Sequence, residues 1–299
     1  MDRSSSEGKG ERVAQRFYGY ATSAGVVRDQ NEDSLCVRPD IGLWAVADGM
    51  GGYRAGDMAS RLTVEHLAED VGNHVSLSES ISRIHQKILN TARTDSAYES
   101  MGATVVALKT DGKAYEIAWV GDSRAYLWNR QLTRLTRDHS YVQSLVDAGT
   151  ISEADAANHP ERHAITQALG AEELDAVEVE TVKGVFKEAD RILLCSDGLT
   201  NEVADTEISK ILAQPVSEQT LVDNLIAAAK ENGGADNISA ILVSGNPDLV
   251  EKPADAEAGR PQAESVIREA NAGGYQFWIW MVIIFLVLII AVIFVYDVV

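Results

Sequence analysis

Apolar residues along the chain gather in short runs bounded by glycine, aspartate and asparagine, which is the pattern of β-strands. TVVALK at 104–109 and AYEIAWV at 114–120 flank Asp111-Gly112, the dipeptide that most favours a tight hairpin turn. RAYLW at 124–128 and LTRLT at 132–136 repeat the arrangement around Asn129-Arg130, so an antiparallel meander is predicted. Between such blocks, Ile81, Ile84, Ile88 and Ala92 keep helical spacing behind Ser76-x-x-Glu79, a capping-box pattern. Leu221, Leu225, Ala228 and Ala229 do the same before Gly233-Gly234, a candidate C-cap. Residues 140–170 lack strand alternation and carry a helical stripe of Val142, Leu145 and Val146. Strands mixed with separate helices predict an α+β domain with sheet packed on sheet and helices outside, not a Rossmann order. No internal repeat is visible.

Two segments depart from this pattern. Residues 246–274 are rich in Ala, Glu, Pro and Gly with little periodic apolar content, and read as a flexible linker. Residues 277–296 hold no charged side chain. At ~1.5 Å per residue, a run of about 20 residues crosses the ~30 Å hydrocarbon core of a bilayer. Trp278, Trp280 and Tyr296 sit near its ends as interfacial aromatics do, and helices of soluble proteins keep a polar face that this run lacks. It is predicted to be a transmembrane tail anchor, with residues 13–245 as one folded domain. The polar N-terminus shows no signal peptide. Arg260 and Arg268 before the run, against Asp297 after it, favour a single pass through the inner membrane with that domain in the cytoplasm.

Composition narrows the class. With 299 residues, 45% hydrophobic and 24% charged, the chain is an ordinary globular protein. Its net charge of -19 excludes nucleic acid as a partner, because phosphate backbones are held by Lys and Arg clusters. An acidic substrate would need local compensation, which bound divalent cations supply. The two cysteines, Cys36 and Cys195, fit neither a zinc site nor the C-x5-R phosphate cradle, and read as small core residues in a reducing compartment.

The candidate chemistry lies in the acids that follow apolar runs. WAVADGMGG at 44–52 lacks the Lys-Ser/Thr of a phosphate loop and the spacing of a dinucleotide fingerprint. A lone Asp-Gly after a strand is usually a turn. Here the feature recurs: Asp48-Gly49 after one run, Asp122 after Val120-Gly121, Asp197-Gly198 after another, Asp236 just before ISAILV, and Glu32-Asp33 before SLCV. Neighbouring strands lie about 5 Å apart, so acids at adjoining strand ends can converge on a metal. Oxygen ligands without His or Cys point to Mg²⁺ or Mn²⁺ rather than zinc.

Six motifs in order, VVRDQNEDS (26–34), ADGMGG (47–52), MGATVVAL (101–108), VGDSRAYL (120–127), LCSDGL (194–199) and GADNIS (234–239), closely resemble the metal-dependent type 2C family of protein Ser/Thr phosphatases in its bacterial branch. The resemblance covers about residues 15 to 245. It implies a β-sandwich of two antiparallel sheets flanked by helices, with two Mn²⁺ or Mg²⁺ ions at one end and a weaker third. In that family's pattern Asp48 bridges the two ions, and the Gly49 carbonyl completes one sphere. Asp197 and Asp236 hold one ion, Asp33 with Glu32 beside it reaches the other directly or through water, and Asp122 matches the ligand of the third. Arg28 matches the arginine that clamps the substrate phosphate through two parallel hydrogen bonds. The implied reaction is hydrolysis of phospho-Ser/Thr by a metal-activated water. The implied partners are phosphorylated proteins and a cognate Ser/Thr kinase. Many eukaryotic members carry a His directly after the Asp-Gly as candidate general acid, where this chain has Met50. His139 is then the histidine to examine, although a loop or core role is the commoner fate, and His66, His74 and His85 read as structural. Residues 140–170 correspond to the flap of the bacterial enzymes. Two other classes stay open: a non-catalytic phosphoprotein-binding module, and a small-molecule phosphoester hydrolase.

Overall fold

The computed structural model describes residues 17–245 apart from Tyr53 and Glu188. The expected domain start at 13–16, the linker at 246–274 and the apolar run at 277–296 lie outside the described residues. Among the described residues, no helix is long and apolar enough to cross a membrane.

Two antiparallel sheets carry the fold. The first is five-stranded, in the order β1 (Phe17–Ser23), β11 (Ile238–Ser244), β10 (Arg191–Cys195), β7 (Arg124–Trp128) and β8 (Leu132–Arg134). The second is six-stranded, in the order β2 (Asp33–Arg38), β3 (Leu43–Met50), β5 (Val105–Asp111), β6 (Ala114–Val120) and β9 (Glu180–Val185), with β4 (Gly102–Ala103) beside the end of β3. The α+β reading with sheet on sheet holds, and both hairpins form where the turn signals lie, with β8 stopping at Arg134.

Alternation along each strand sorts the core into layers. Trp44, Val46, Val106 and Ile117 of the second sheet meet Ile192, Leu194, Ile241 and Val243 of the first between the sheets. The opposite faces are covered by helices. Helices α1 (Arg54–Gly72) and α2 (Leu77–Thr94) lie over the second sheet. Two more, α6 (Asp205–Leu212) and α7 (Glu218–Glu231), lie over the first. Central strands are thus apolar on both faces, which is why β10 and β11 read as continuous apolar runs.

Helix ends show where local signals held. The Ser76 hydroxyl accepts the Glu79 N–H, forming the N-cap, while the Glu79 carboxylate turns to Arg83 one helical turn on. The cap of α7 is Asn232, and Gly234 follows in the left-handed region with its N–H on the Ala229 carbonyl. Residues 140–170 hold two short helices, α3 (Tyr141–Asp147) and α4 (Glu153–Ala156), and of the Val142 stripe only Val142 is buried.

Candidate active site

The predicted acids meet at one end of the sandwich, around a cavity of about 910 Å³. Asp48 does not end its strand, as the sequence suggested. β3 runs on to Met50, because β4 pairs with Gly49 and Met50. Asp33 stands directly across the ladder from Asp48. Helix α1 packs so close behind that a Cβ on Gly49 would lie 2.1 Å from the Gly56 carbonyl oxygen, which explains the glycine. Asp197 opens α5 (Asp197–Thr200), and Asn201 one turn later holds its Oδ2 through Nδ2 at 2.9 Å. Asp122 sits in the turn from β6 to β7, and Asp236 lies two residues before the start of β11.

Desolvation by the surrounding protein is the first cause of every shift in this cluster. It drives the Asp48 carboxyl well above the ordinary carboxylate range, and the charges of Asp33, Asp197, Asp122 and Asp236 push it further. Asp122 is pushed up to about 8, with Asp197 the largest charge acting on it. Asp33 rises to about 7 against the opposing hydrogen bonds of Ser239 and Ser196. Asp197 is raised by burial and then by Asp236, and lies within hydrogen-bond reach of Asp48. Glu32 is raised by burial, opposed by Arg28.

Carboxylates brought together in low dielectric are costly without a counter-charge. The donor set is all oxygen, which suits Mg²⁺ or Mn²⁺. Asp33 Oδ1 is buried with no hydrogen-bond partner among the described residues, a second sign that the cluster is built for a cation. Among those residues no three His, Cys, Asp or Glu side chains close on one point as a complete ion cage. Asp48, Asp122, Asp197 and Asp236 line one polar cavity, and a bound Mg²⁺ commonly keeps several waters.

Arg28 faces the acids from the loop between β1 and β2. Its Nη2 donates to Asp236 Oδ2 at 3.0 Å, with the two side chains 55% and 40% exposed. A pair so exposed is worth at most about 1 kcal/mol, so the guanidinium can exchange Asp236 for a phosphate at little cost. The loop itself is stitched down. Val26 N–H donates to the Gly234 carbonyl at 2.8 Å, and Asn237 accepts the Glu32 N–H at 2.8 Å while donating to the Gln30 carbonyl at 2.8 Å. Gly25 has φ +76° and approaches so close that a Cβ there would lie 2.2 Å from the Asp236 carbonyl oxygen.

Of the sequence-predicted residues, Arg28, Asp48, Gly49, Asp122, Asp197 and Asp236 line the cavity, and so does Glu32. Asp33 does not: it lies buried behind Asp48, with Oδ2 accepting the Ser196 hydroxyl at 2.9 Å. His139 is off the wall too. Its buried ring accepts the Gly121 N–H at Nδ1 over 3.2 Å and faces Glu180 at 3.3 Å, so it holds the turn that carries Asp122. Sequence reasoning missed Asn201, Asn237, Arg162 and His163, all on the wall. Asn201 was findable as the i+4 neighbour of Asp197, whereas Arg162 and His163 reach the cavity only through the fold of the 140–170 segment.

Residues 25–242 match the family model described as Protein phosphatase 2C. The chain belongs to the protein phosphatase 2C family. As a member it is a serine/threonine phosphatase, and its relatives carry that description. It is 39% identical over 253 residues to the serine/threonine phosphatase Stp of Listeria monocytogenes serovar 1/2a, spanning 79% of this chain and 98% of that one. The crystal structure of the Mycobacterium tuberculosis serine/threonine phosphatase PstP superposes with a TM-score of 0.70 at 34% identity, over 77% of this chain and 99% of that one. A structure of the PstP catalytic domain in complex with 2 manganese ions gives a TM-score of 0.66 at 31% identity, over 77% and 97% of the two chains.

Proposed function

We propose that this protein phosphatase 2C member is a membrane-anchored enzyme that hydrolyses phospho-Ser and phospho-Thr on proteins with two Mn²⁺ or Mg²⁺ ions, and that it opposes a Ser/Thr kinase of the same cell. The observation that carries the reading is the convergence of Asp48, Asp197 and Asp236 on one cavity with Arg28 opposite. Asp48 would be shared between the ions. The Gly49 carbonyl, with Glu32 and Asp33, would serve one, Asp197 and Asp236 the other, and Asp122 a third. Bound there, divalent cations supply positive charge for phosphoryl oxygens and make water nucleophilic at neutral pH.

The chain's own part is to bind and orient. Arg28, released from Asp236, holds two phosphoryl oxygens in a fixed plane and so sets the approach to phosphorus. Asn201 keeps the Asp197 carboxylate turned toward the cavity. Met50, after the Asp-Gly, has no proton to give a leaving alcohol; of the described histidines only His163 lines the cavity.

Anchoring rests on the uncharged run at 277–296, and opposition to a kinase on the substrate class. The full-length protein should hydrolyse a phosphothreonine peptide in Mn²⁺ or Mg²⁺ and lose the activity on chelation. Full turnover in a verified metal-stripped sample would refute the reading. Phosphoproteomes of a deletion strain, complemented with wild type or with Asp48→Asn, would identify the substrates.

A further inference from the structure

Behind the cavity, five residues close a ring of hydrogen bonds through their side chains and two backbone N–H groups. Asn31 Nδ2 donates to Thr22 Oγ1 over 2.7 Å. Thr22 Oγ1 and Ser239 Oγ lie 2.7 Å apart. The Ser239 backbone N–H donates to Ser196 Oγ over 3.0 Å, and its side chain acts on Asp33 at short range. The Ser196 hydroxyl donates to Asp33 Oδ2 over 2.9 Å, and the Asp33 N–H returns to Asn31 Oδ1 over 3.2 Å. A carboxylate only accepts, so at its one acid the ring is fed by the Ser196 hydroxyl.

Ser196 and Ser239 are fully buried, so neither hydroxyl can exchange its partner for water. The ring holds Asp33 by Oδ2, while Oδ1 is buried with no partner among the described residues. Asp33 is also the charge acting most strongly on Asp48, its cross-strand neighbour. A buried acceptor left without a donor is expensive, and a fold that fixes one oxygen while leaving the other bare has presented the second to something.

We propose that Ser196 and Ser239 are positioning residues, which with Thr22 and Asn31 hold Asp33 so that Oδ1 alone is offered to a divalent cation at Asp48. This rests on the two-cation reading of the site. Ion affinity is then set partly from the other sheet, by residues that never touch the ion.

Calorimetric titration of full-length protein in detergent with MnCl₂ tests it. Ser196→Ala should weaken Mn²⁺ binding about tenfold, the scale of one lost hydrogen bond to a charged group, and Ser239→Ala, which loses the contact with Thr22, about threefold. At saturating Mn²⁺ their kcat should stay within about threefold of wild type. Thr22→Val should weaken Mn²⁺ binding by about threefold, and Thr22→Ser, which keeps the hydroxyl, should restore it. If an alanine variant does not fold, the Thr22 pair decides. A ring that served only to join the sheets would lower the melting temperature of metal-stripped protein and leave the Mn²⁺ Kd untouched, and that outcome overturns the proposal. Wild-type protein that binds no Mn²⁺ would overturn the two-cation reading as well; wild-type binding with unchanged variants would overturn the ring alone.

Discussion

Asp48 answers to two opposed demands, because the burial and like charges that would suit it to a cation make it a liability when no cation is bound. Its folded pKa stands above the unfolded value, so the metal-stripped folded chain holds more protons than the unfolded one. Stability contributed through this group therefore falls as pH rises above about 4. Asp48→Asn should remove that penalty: in urea unfolding of metal-stripped protein the variant should be the more stable by about 1–3 kcal/mol at pH 7, with a smaller gap at pH 5. The same variant should lose several orders of magnitude in kcat. Equal stability of the two proteins at pH 7 would contradict the account. Arg28 carries a separate expectation. Arg28→Ala should raise KM for a phosphothreonine peptide about 10–100-fold, the loss of charge-assisted hydrogen bonds, and an unchanged kcat/KM would exclude the clamp. The cavity acids were legible because each follows or precedes an apolar run in its own stretch of chain. That Glu32 and not Asp33 reaches the wall was not legible, since it depends on β2 starting at Asp33 and on Ser196, 163 positions away.

Elements joined by one buried side chain show a different limit of sequence reading. His85 sits on α2, and its spacing marks it only as helical. In the fold its Nδ1 accepts the Gly170 N–H over 3.1 Å, and its Nε2 then donates to the Leu174 carbonyl over 3.1 Å, which ties α2 to the end of the 140–170 segment. Protonation would set an N–H against the Gly170 N–H. Burial accordingly holds the ring's pKa below its ordinary value. The unfolded chain then binds the proton more readily, so the contribution of His85 is complete above about pH 6.5 and is lost as pH falls below it. His85→Leu should cost about 1–3 kcal/mol at pH 7 by leaving a buried N–H and carbonyl unpaired. The gap between wild type and variant should narrow at pH 5; a gap independent of pH would mean that the ring does not titrate in this window. Hairpins and helix caps, by contrast, were readable because their signals lie within a few residues of each other. The run of β3 through Asp48 was hidden, since its partner β4 is a two-residue strand far along the chain.

At the scale of the molecule, sheet order is the least local property. β1 and β11 come from opposite ends of the described residues and pair along their full length, Phe17 opposite Ser244, and no run of residues announces that closure. The same pairing brings the last described strand to the first, with Asp236 at one end of β11 and the start of the proposed linker at the other. Treated as a flexible chain, a linker of roughly 28 residues has an r.m.s. span of about 30 Å. An anchored catalytic domain would sample a shell of that depth beside the bilayer, at raised effective concentration toward membrane-bound phosphoproteins and without any new contact. The chain's net charge of -19 would oppose adsorption to an anionic leaflet, so a tether would act through proximity rather than surface contact. Truncation before Phe277 should therefore yield a soluble enzyme with unchanged kcat/KM on a free phosphopeptide. In cells it should dephosphorylate membrane-bound substrates several-fold more slowly than the full-length protein at equal expression, a loss that a heterologous tail anchor should restore. Fractionation and protease accessibility check the premise. Full-length protein in the soluble fraction, or a catalytic domain digested from the outer face, would dispose of the tether, and equal rates for tethered and truncated enzyme on a membrane substrate would dispose of its proposed effect.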